Sequence, residues 1–361
     1  MKKPRLLALG MALALTLSIA GCTKTPTPSP SASANPAPTG SVSPSPTPTP
    51  TPTPSATPDD TADRPAVNLA VLKGNTGMSA VKLLADNEAG TTVNDYAVTL
   101  ASDPTEVNSK LINGDIDIAA LPTNVAATLF NKTEGGVQII ALCGLGVLYM
   151  LENGDTVHSF ADLAGKTIYA PANAQGANPE YVLNYLLEQN GLTPGADVTI
   201  EWKDSDELSA LLASGDVDLA MMPVPAATAV TIKNPDVRFA LDFTAEWKAV
   251  NSDSQLTMSC LVVRTEFARE HSQVVDDFLT EYAASIDYVK NNVDAAAELV
   301  AQYGITPSAA VAKAAIPQIN LVYISGADIR DTINGYFDVL WQANPKSIGG
   351  FVPDDSFYYI P

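Results

Sequence analysis

From Val67 onward the apolar residues fall into two alternating kinds of run. Short stretches that are apolar at nearly every position, such as VNLAVLK (Val67 to Lys73), predict strands buried on both faces. Longer stretches with apolar residues every three or four positions predict helices packed by one side. In chain order the pattern predicts strand VNLAVLK, loop GNTGMS, helix AVKLLADNEAG ending near Gly90, strand YAVTL (Tyr96 to Leu100), a helix and a strand up to Pro122, helix TNVAATLFNKT and strand VQIIALC. The order is then replayed by strand GKTIYA (Gly165 to Ala170), loop PANAQGANP, helix EYVLNYLLEQNG, strand VTIEW (Val198 to Trp202) and a second helix and strand up to Pro223. Such alternation predicts an α/β fold of two similar doubly wound lobes, each with a parallel sheet and right-handed crossovers.

The replay is visible residue by residue. DPTEVNSKLINGDIDIAALP (Asp103 to Pro122) and DSDELSALLASGDVDLAMMP (Asp204 to Pro223) share Asp103/Asp204, Glu106/Glu207, Leu111/Leu212, Gly114/Gly215, Asp115/Asp216, Asp117/Asp218, Ala119/Ala220 and Pro122/Pro223. Aspartate followed three residues later by glutamate has the spacing of a capping box that starts a helix. Pro104 suits a first helical turn, and Gly114 or Gly215 supplies the left-handed residue that ends one. Paired Asp115/Asp117 and Asp216/Asp218 suggest a metal or catalytic site, but each pair precedes its strand at the end away from any cleft, so a role in the turn is expected.

Two extended segments cross between the halves: LGVLYMLEN (Leu145 to Asn153) and LTMSCLVVRTEF (Leu256 to Phe267). Two crossings insert the second lobe (residues 154–256) into the first (66–153 plus 257–361) and make a hinge. Helical sequence follows to about Gln302, and a late amphipathic helix, IRDTINGYFDVLWQ, carries Phe337, Leu340 and Trp341 on its expected core face.

Ahead of the lobes lie Lys2, Lys3 and Arg5, then an apolar run from Leu6 to Ile19 that is too short for a spanning helix and fits an export signal over residues 1–21. Residues 22–65 are dominated by Thr, Pro, Ser and Ala, which cannot bury enough apolar area to fold and predict a semi-stiff tether. Loss of the signal's three basic residues takes the formal net charge from −20 to −23, which argues against nucleic acid as a partner. Only Cys143 and Cys260 remain besides Cys22. One disulfide between them is open, as neither spacing nor context decides it.

The run Ile19-Ala20-Gly21-Cys22 resembles the lipobox of bacterial lipoproteins, in which the cysteine is acylated and becomes the new N-terminus. With FADLAGKTIYAP, the two GDxDxA turns and LVVRTEFAREHSQVVDDFLTEYAASIDYVKNN, the chain resembles the solute-binding lipoproteins of bacterial ABC importers. The subgroup is the one with nitrate, taurine, alkanesulfonate and thiamine-precursor binders, which have the type II periplasmic binding protein fold. The resemblance implies an extracytoplasmic, lipid-anchored monomer that captures a small-molecule solute and delivers it to an ABC transporter permease, with no cofactor and no enzymatic activity. Thiamine-pyrimidine synthases share the fold, but their cysteine-rich motif and reactive histidine have no match here. A surface sensor working through a partner protein is the other alternative.

In open α/β sheets ligands sit beyond the carboxyl ends of the strands, against helix N-termini. Four loops meet that description. The first lobe offers Asn75, Thr76, Gly77, Met78 and Ser79, with Thr123 and Asn124; the second offers Asn173, Gln175, Gly176 and Asn178, with Met222 and Pro225. Amides and hydroxyls supply donors and acceptors there, and methionine supplies adaptable apolar contact. None of these loops contains Arg or Lys, and Lys73 is the only adjoining cation, which suits a neutral or weakly charged solute. His158 and His271 lie outside the loops and are expected on the surface or at caps.

Overall fold

A computed structural model describes residues 64–252 and 254–360; the expected signal, lipobox and tether lie outside them. The first lobe starts with β1 (Ala66–Leu72), α1 (Asn75–Glu88), β2 (Asp95–Ala101), α2 (Pro104–Asn113), β3 (Ile118–Pro122), α3 (Thr123–Lys132) and β4 (Val137–Gly144). Then come β5 (Leu148–Asn153), β6 (Thr167–Pro171), α4 (Asn178–Gln189), β7 (Thr199–Lys203), α5 (Ser205–Ser214), β8 (Leu219–Pro223), α6 (Ala226–Lys233), β9 (Val237–Asp242) and α7 (Phe243–Val250). The chain returns through β10 (Ser259–Arg264), α8 (Thr265–Glu270), α9 (Ser272–Asn291), α10 (Val293–Gln302), α11 (Ala309–Ala315), β11 (Leu321–Ser325) and α12 (Asp328–Ala343).

The strands form two sheets, ordered β11-β4-β10-β3-β1-β2 and β7-β6-β8-β5-β9. Apart from β11, the sheets have one plan: β2-β1-β3 corresponds to β7-β6-β8, and β4 to β9. Between β3 and β4 lies antiparallel β10, and between β8 and β9 lies antiparallel β5. Each crossing segment therefore becomes the reversed strand of the lobe it enters, and the sheets are mixed rather than wholly parallel. The expected lobe boundary after Asn153 is corrected by this pairing, because all of β5 is bonded within the second sheet.

The repeated unit has the predicted construction. Asp103 Oδ1 accepts from Thr105 N at 2.7 Å, and Asp204 Oδ1 accepts from Asp206 N at 2.9 Å. Gly114 and Gly215 close the helices with φ of 83° and 81°. The reciprocal half of the box is not made in the first copy: Glu106 turns to Lys110 one helical turn on, at 2.8 Å. The acidic pairs behave as turn residues. Asp117 is buried, accepting from Asn68 N and Asn68 Nδ2 at 2.9 Å and pairing with Arg264 at 2.8 Å. Asp216 accepts from Ser214 Oγ at 2.6 Å.

Two apolar clusters fill the molecule, and each contains residues of both sheets. The lobes therefore do not hold separate cores: helix contacts α6–α11 on one flank and α4–α12 on the other carry the packing across. On the second flank the Trp247 and Tyr336 rings meet at 5.8 Å, and Asn344 Nδ2 donates to Tyr181 OH at 2.8 Å. Phe337 and Leu340 are core as predicted; Trp341 is 44% exposed, on the outer side of α12. Cys143 and Cys260 are free, buried thiols on neighbouring strands whose side chains enter opposite faces of the sheet, which decides the disulfide question against a bridge.

Candidate ligand-binding cleft

Pairing of Ser259 with Pro122 and of Leu148 with Pro223 puts the start of each crossing strand beside the carboxyl end of a parallel one. At that junction a cavity of about 380 Å³ opens between the lobes. Of the predicted residues, Asn75, Thr76, Asn124, Asn173 and Asn178 line it. Asn75 Nδ2 donates to Ser259 Oγ at 2.6 Å, forming a polar pair on the first-lobe wall. Thr76 Oγ1 donates to Leu72 O at 3.0 Å, which fixes the turn from β1 into α1. Asn124 Nδ2 reaches Ser347 O at 3.4 Å, and Asn173 is exposed at the mouth.

The other predicted side chains are placed elsewhere. GNTGMS is helix rather than loop: α1 begins at Asn75, so helical rotation carries Gly77, Met78 and Ser79 inward. A Cβ on Gly77 would stand 2.8 Å from Leu72 O, so glycine is what lets the helix approach the strand end. Met78 and Met222 are fully packed core residues. Ser79 Oγ lies 2.7 Å from Tyr282 OH, which also donates to Thr76 O at 3.2 Å; this bracket from α9 holds the first turn of α1 against the cavity. Gln175 and Gly176 are exposed outside the cavity, where the Glu180 carboxylate accepts from Gly176 N and Tyr181 OH donates to Gly176 O at 2.7 Å. Pro225 precedes α6, also outside the wall. Thr123 is buried just behind the wall, between Pro122 and Asn124.

Sequence reasoning missed Val147, Met258 and Ser259, which line the cavity from the crossing segments. A signal was available, since any segment that joins two lobes must traverse the space between them. Lys73 lies at the rim, exposed, and is the only charged side chain in the wall. It makes no ion pair among the described residues.

Helix termini add directional donors. Asp103, Asp204, Asp242 and Ser308 cap α2, α5, α7 and α11 through their side chains. Gly74, Pro122 and Ala177, which precede α1, α3 and α4 at the cavity, provide no side-chain cap. At α3 the first amide is taken by the second crossing segment, Thr123 N donating to Met258 O at 3.3 Å, while about half a unit of positive charge accompanies each terminus.

A larger hollow of about 500 Å³ lies at the opposite edge of the second sheet, beside Glu152, Lys166, Asp216 and Asp218. Glu152 is consumed structurally there, accepting from Thr156 N at 2.9 Å and from Arg238 at 2.5 Å. His158 is exposed near Asp155, and His271 stands at the start of α9.

The comparisons agree with this architecture. The model of the NMT1/THI5-like family matches residues 102–296, more than half of the chain. The chain belongs to the NMT1/THI5-like family. No curated protein sequence matches it. Among solved structures, an ABC transporter protein from Parabacteroides distasonis superposes with a TM-score of 0.69 at 19% identity, over 81% of this chain and 98% of that one. The periplasmic aliphatic sulphonate-binding protein SsuA of Escherichia coli gives 0.64 at 15% identity, over 82% and 92%. The desulfurization enzyme DszB gives 0.56 at 15%, over 82% and 97%. This NMT1/THI5-like chain therefore has the two-lobed fold of type II periplasmic binding proteins, a fold that also carries an enzyme.

Proposed function

We propose that the protein is an extracytoplasmic solute-binding protein, anchored through acylated Cys22, that captures a small organic solute between its lobes and delivers it to an ABC importer. The observation that carries the reading is the interlobe cavity, walled by both lobes and both crossing segments, with uncapped helix termini and carboxamides facing inward. A wall divided between two bodies binds best when they close, so ligand and closure stabilise each other. Transport is favoured over catalysis by the placement of nucleophiles. Neither Cys143 nor Cys260 lines the cavity, and burial pushes the Cys143 thiol up to about 12 and Cys260 well above its ordinary value.

Native mass spectrometry of protein purified from its own host tests the proposal. A solute of defined mass should accompany the folded protein, leave on denaturation, and be lost in Asn178→Leu at retained stability. A folded protein that carries no solute and whose melting temperature responds to no small molecule would refute it.

A further inference from the structure

After α12 the chain turns through residues 344–351, a segment held against the first lobe by side chains of α3. Thr128 Oγ1 donates to Ser347 O at 3.2 Å, and Asn131 Nδ2 donates to Ile348 O at 2.6 Å and to Phe351 O at 2.7 Å. Asn124, a residue of the cavity wall, reaches the same Ser347 carbonyl. Gly349 has φ of 83°, and a Cβ there would stand 2.9 Å from Asn131 Cβ and 3.0 Å from Thr128 Cα, so the segment lies flat on α3. To the second lobe it makes a single side-chain hydrogen bond among the described residues, from Asn344 Nδ2 to Tyr181 OH at 2.8 Å. Tyr181 ends the first turn of α4, and its hydroxyl donates in turn to Gly176 O, in the loop that carries the wall residues Asn173 and Ala177.

We propose that residues 344–351 are a strap and that the bond from Asn344 to Tyr181 is its latch, which favours the closed cleft and sets the Asn173 loop in place as the lobes meet. The inference rests on the solute-binding reading above and concerns how that site is regulated. Neither Asn344 nor Tyr181 lines the cavity, so both act through closure rather than through contact with a solute. The strap moves with α3 and Tyr181 moves with α4, and the starts of these helices stand on opposite walls of the cavity. Separation of the lobes therefore has to break the bond.

Its setting makes the latch releasable. Asn344 and Tyr181 are half-buried, so on opening water takes over the freed donor and acceptor, and what is lost is one exchanged hydrogen bond rather than the pairing of a deeply buried group. A bond of that size shifts an open-to-closed ratio by about five- to tenfold, enough to bias the lobes without locking them. The same hydroxyl carries the coupling to the wall. An O–H that accepts from an amide becomes a stronger donor, so making the latch tightens the hold of Tyr181 on Gly176 O and fixes the loop that bears Asn173.

The test uses the full chain with Cys22→Ser, so that spin labels attach only to Thr105→Cys and Asp206→Cys, exposed and equivalent positions of the repeat at the starts of α2 and α5, while Cys143 and Cys260 stay buried. Double electron–electron resonance then reads the distance across the cleft. Asn344→Ser keeps a cap for Lys346 N but is too short to reach Tyr181, and Tyr181→Phe removes only the hydroxyl. Each should raise the ratio of long to short distances about five- to tenfold, with a melting temperature within about 2 °C of the unlatched background. Together they should do no more than Tyr181→Phe alone, because both break one bond. In native mass spectrometry of protein from its own host, the share of chains that retain solute should fall in both variants. Distances that match those of the parent chain, or shifts that add in the double variant, would overturn the latch whether or not a solute is found. The expected shifts in a protein that carries no solute would uphold the latch and count against the solute-binding reading.

Discussion

Asp117 and Asp218 occupy the same place in the repeat, yet they should respond very differently to removal. The Asp117 side chain is 7% exposed and its partner Arg264 is 21% exposed. Its carboxylate accepts from Asn68 N, Asn68 Nδ2 and Arg264, whose Nε also donates to Ile116 O at 3.1 Å. The pair thus staples the start of β3 to β1 and to the end of β10. Asp117→Ala leaves three donors facing a buried hole. Breaking a buried pair from one side costs about 3–5 kcal/mol, and Arg264's partial access to water points to the lower end, about 3 kcal/mol. With an unfolding entropy of about 2.1 cal/mol/K per residue over roughly 300 residues, the melting temperature should fall by about 5 °C. Asp218 is exposed, and its carboxylate has no hydrogen bond or ion pair among the described residues. Asp218→Ala should therefore stay within about 0.5 kcal/mol, or about 1 °C. Calorimetry and urea melts on both variants make the comparison, and a double variant with Arg264→Met should recover part of the loss by removing the stranded cation. Equal shifts for the two aspartates, or a shift below about 1 °C for Asp117→Ala, would refute the reasoning.

Three further outcomes are expected. Hydrogen bonds from backbone Thr105 N to Asp103 and from His158 N to Asp162 hold these exposed carboxyls below their ordinary range, so their contribution is complete above the unfolded value near about pH 4 and is lost as pH falls through the lowered folded values. Melting curves of wild type and Asp103→Ala should accordingly differ at about pH 6 and converge at about pH 2. Buried Cys143 and Cys260 should resist maleimide labelling in the native protein at about pH 8 and label together on unfolding; prompt native labelling would contradict their packing. Cys22→Ser should shift the protein out of the membrane fraction, and unchanged fractionation would dismiss the lipid anchor.

The fold was legible where its instructions are local. Caps at Asp103 and Asp204, left-handed turns at Gly114 and Gly215 and buried strands ending in Pro122 and Pro223 lie within twenty consecutive residues of each copy, and the structure uses them as read. The start of α1 was not legible for the opposite reason. Asn-Thr-Gly has turn chemistry, whereas the helix there is held by the bonds of Thr76 Oγ1 to Leu72 and of Tyr282 OH to Thr76 O and Ser79, the last from a partner about 200 residues on. Likewise β5 reads as extended, but its place between β8 and β9 depends on partners that arrive much later in the chain.

The loops named from the sequence border the interlobe cavity, but only some of their side chains face it. Carboxamides at Asn75, Asn124, Asn173 and Asn178 reach the cavity, whereas Met78, Ser79 and Met222 turn inward, because shifting a helix start by a few residues rotates every side chain that follows. The difference among helix caps was present in the sequence all along. Helices that follow the edge strands β2 and β7 begin with capping aspartates, whereas those that follow the interior strands β1, β3 and β6 begin after Gly74, Pro122 and Ala177, which have no side chain able to accept from an amide. A cap satisfies the terminal amides from within, so its omission after these interior strands leaves the termini of α1 and α4 turned uncapped toward the cavity, while at α3 Met258 O takes the first amide in its place.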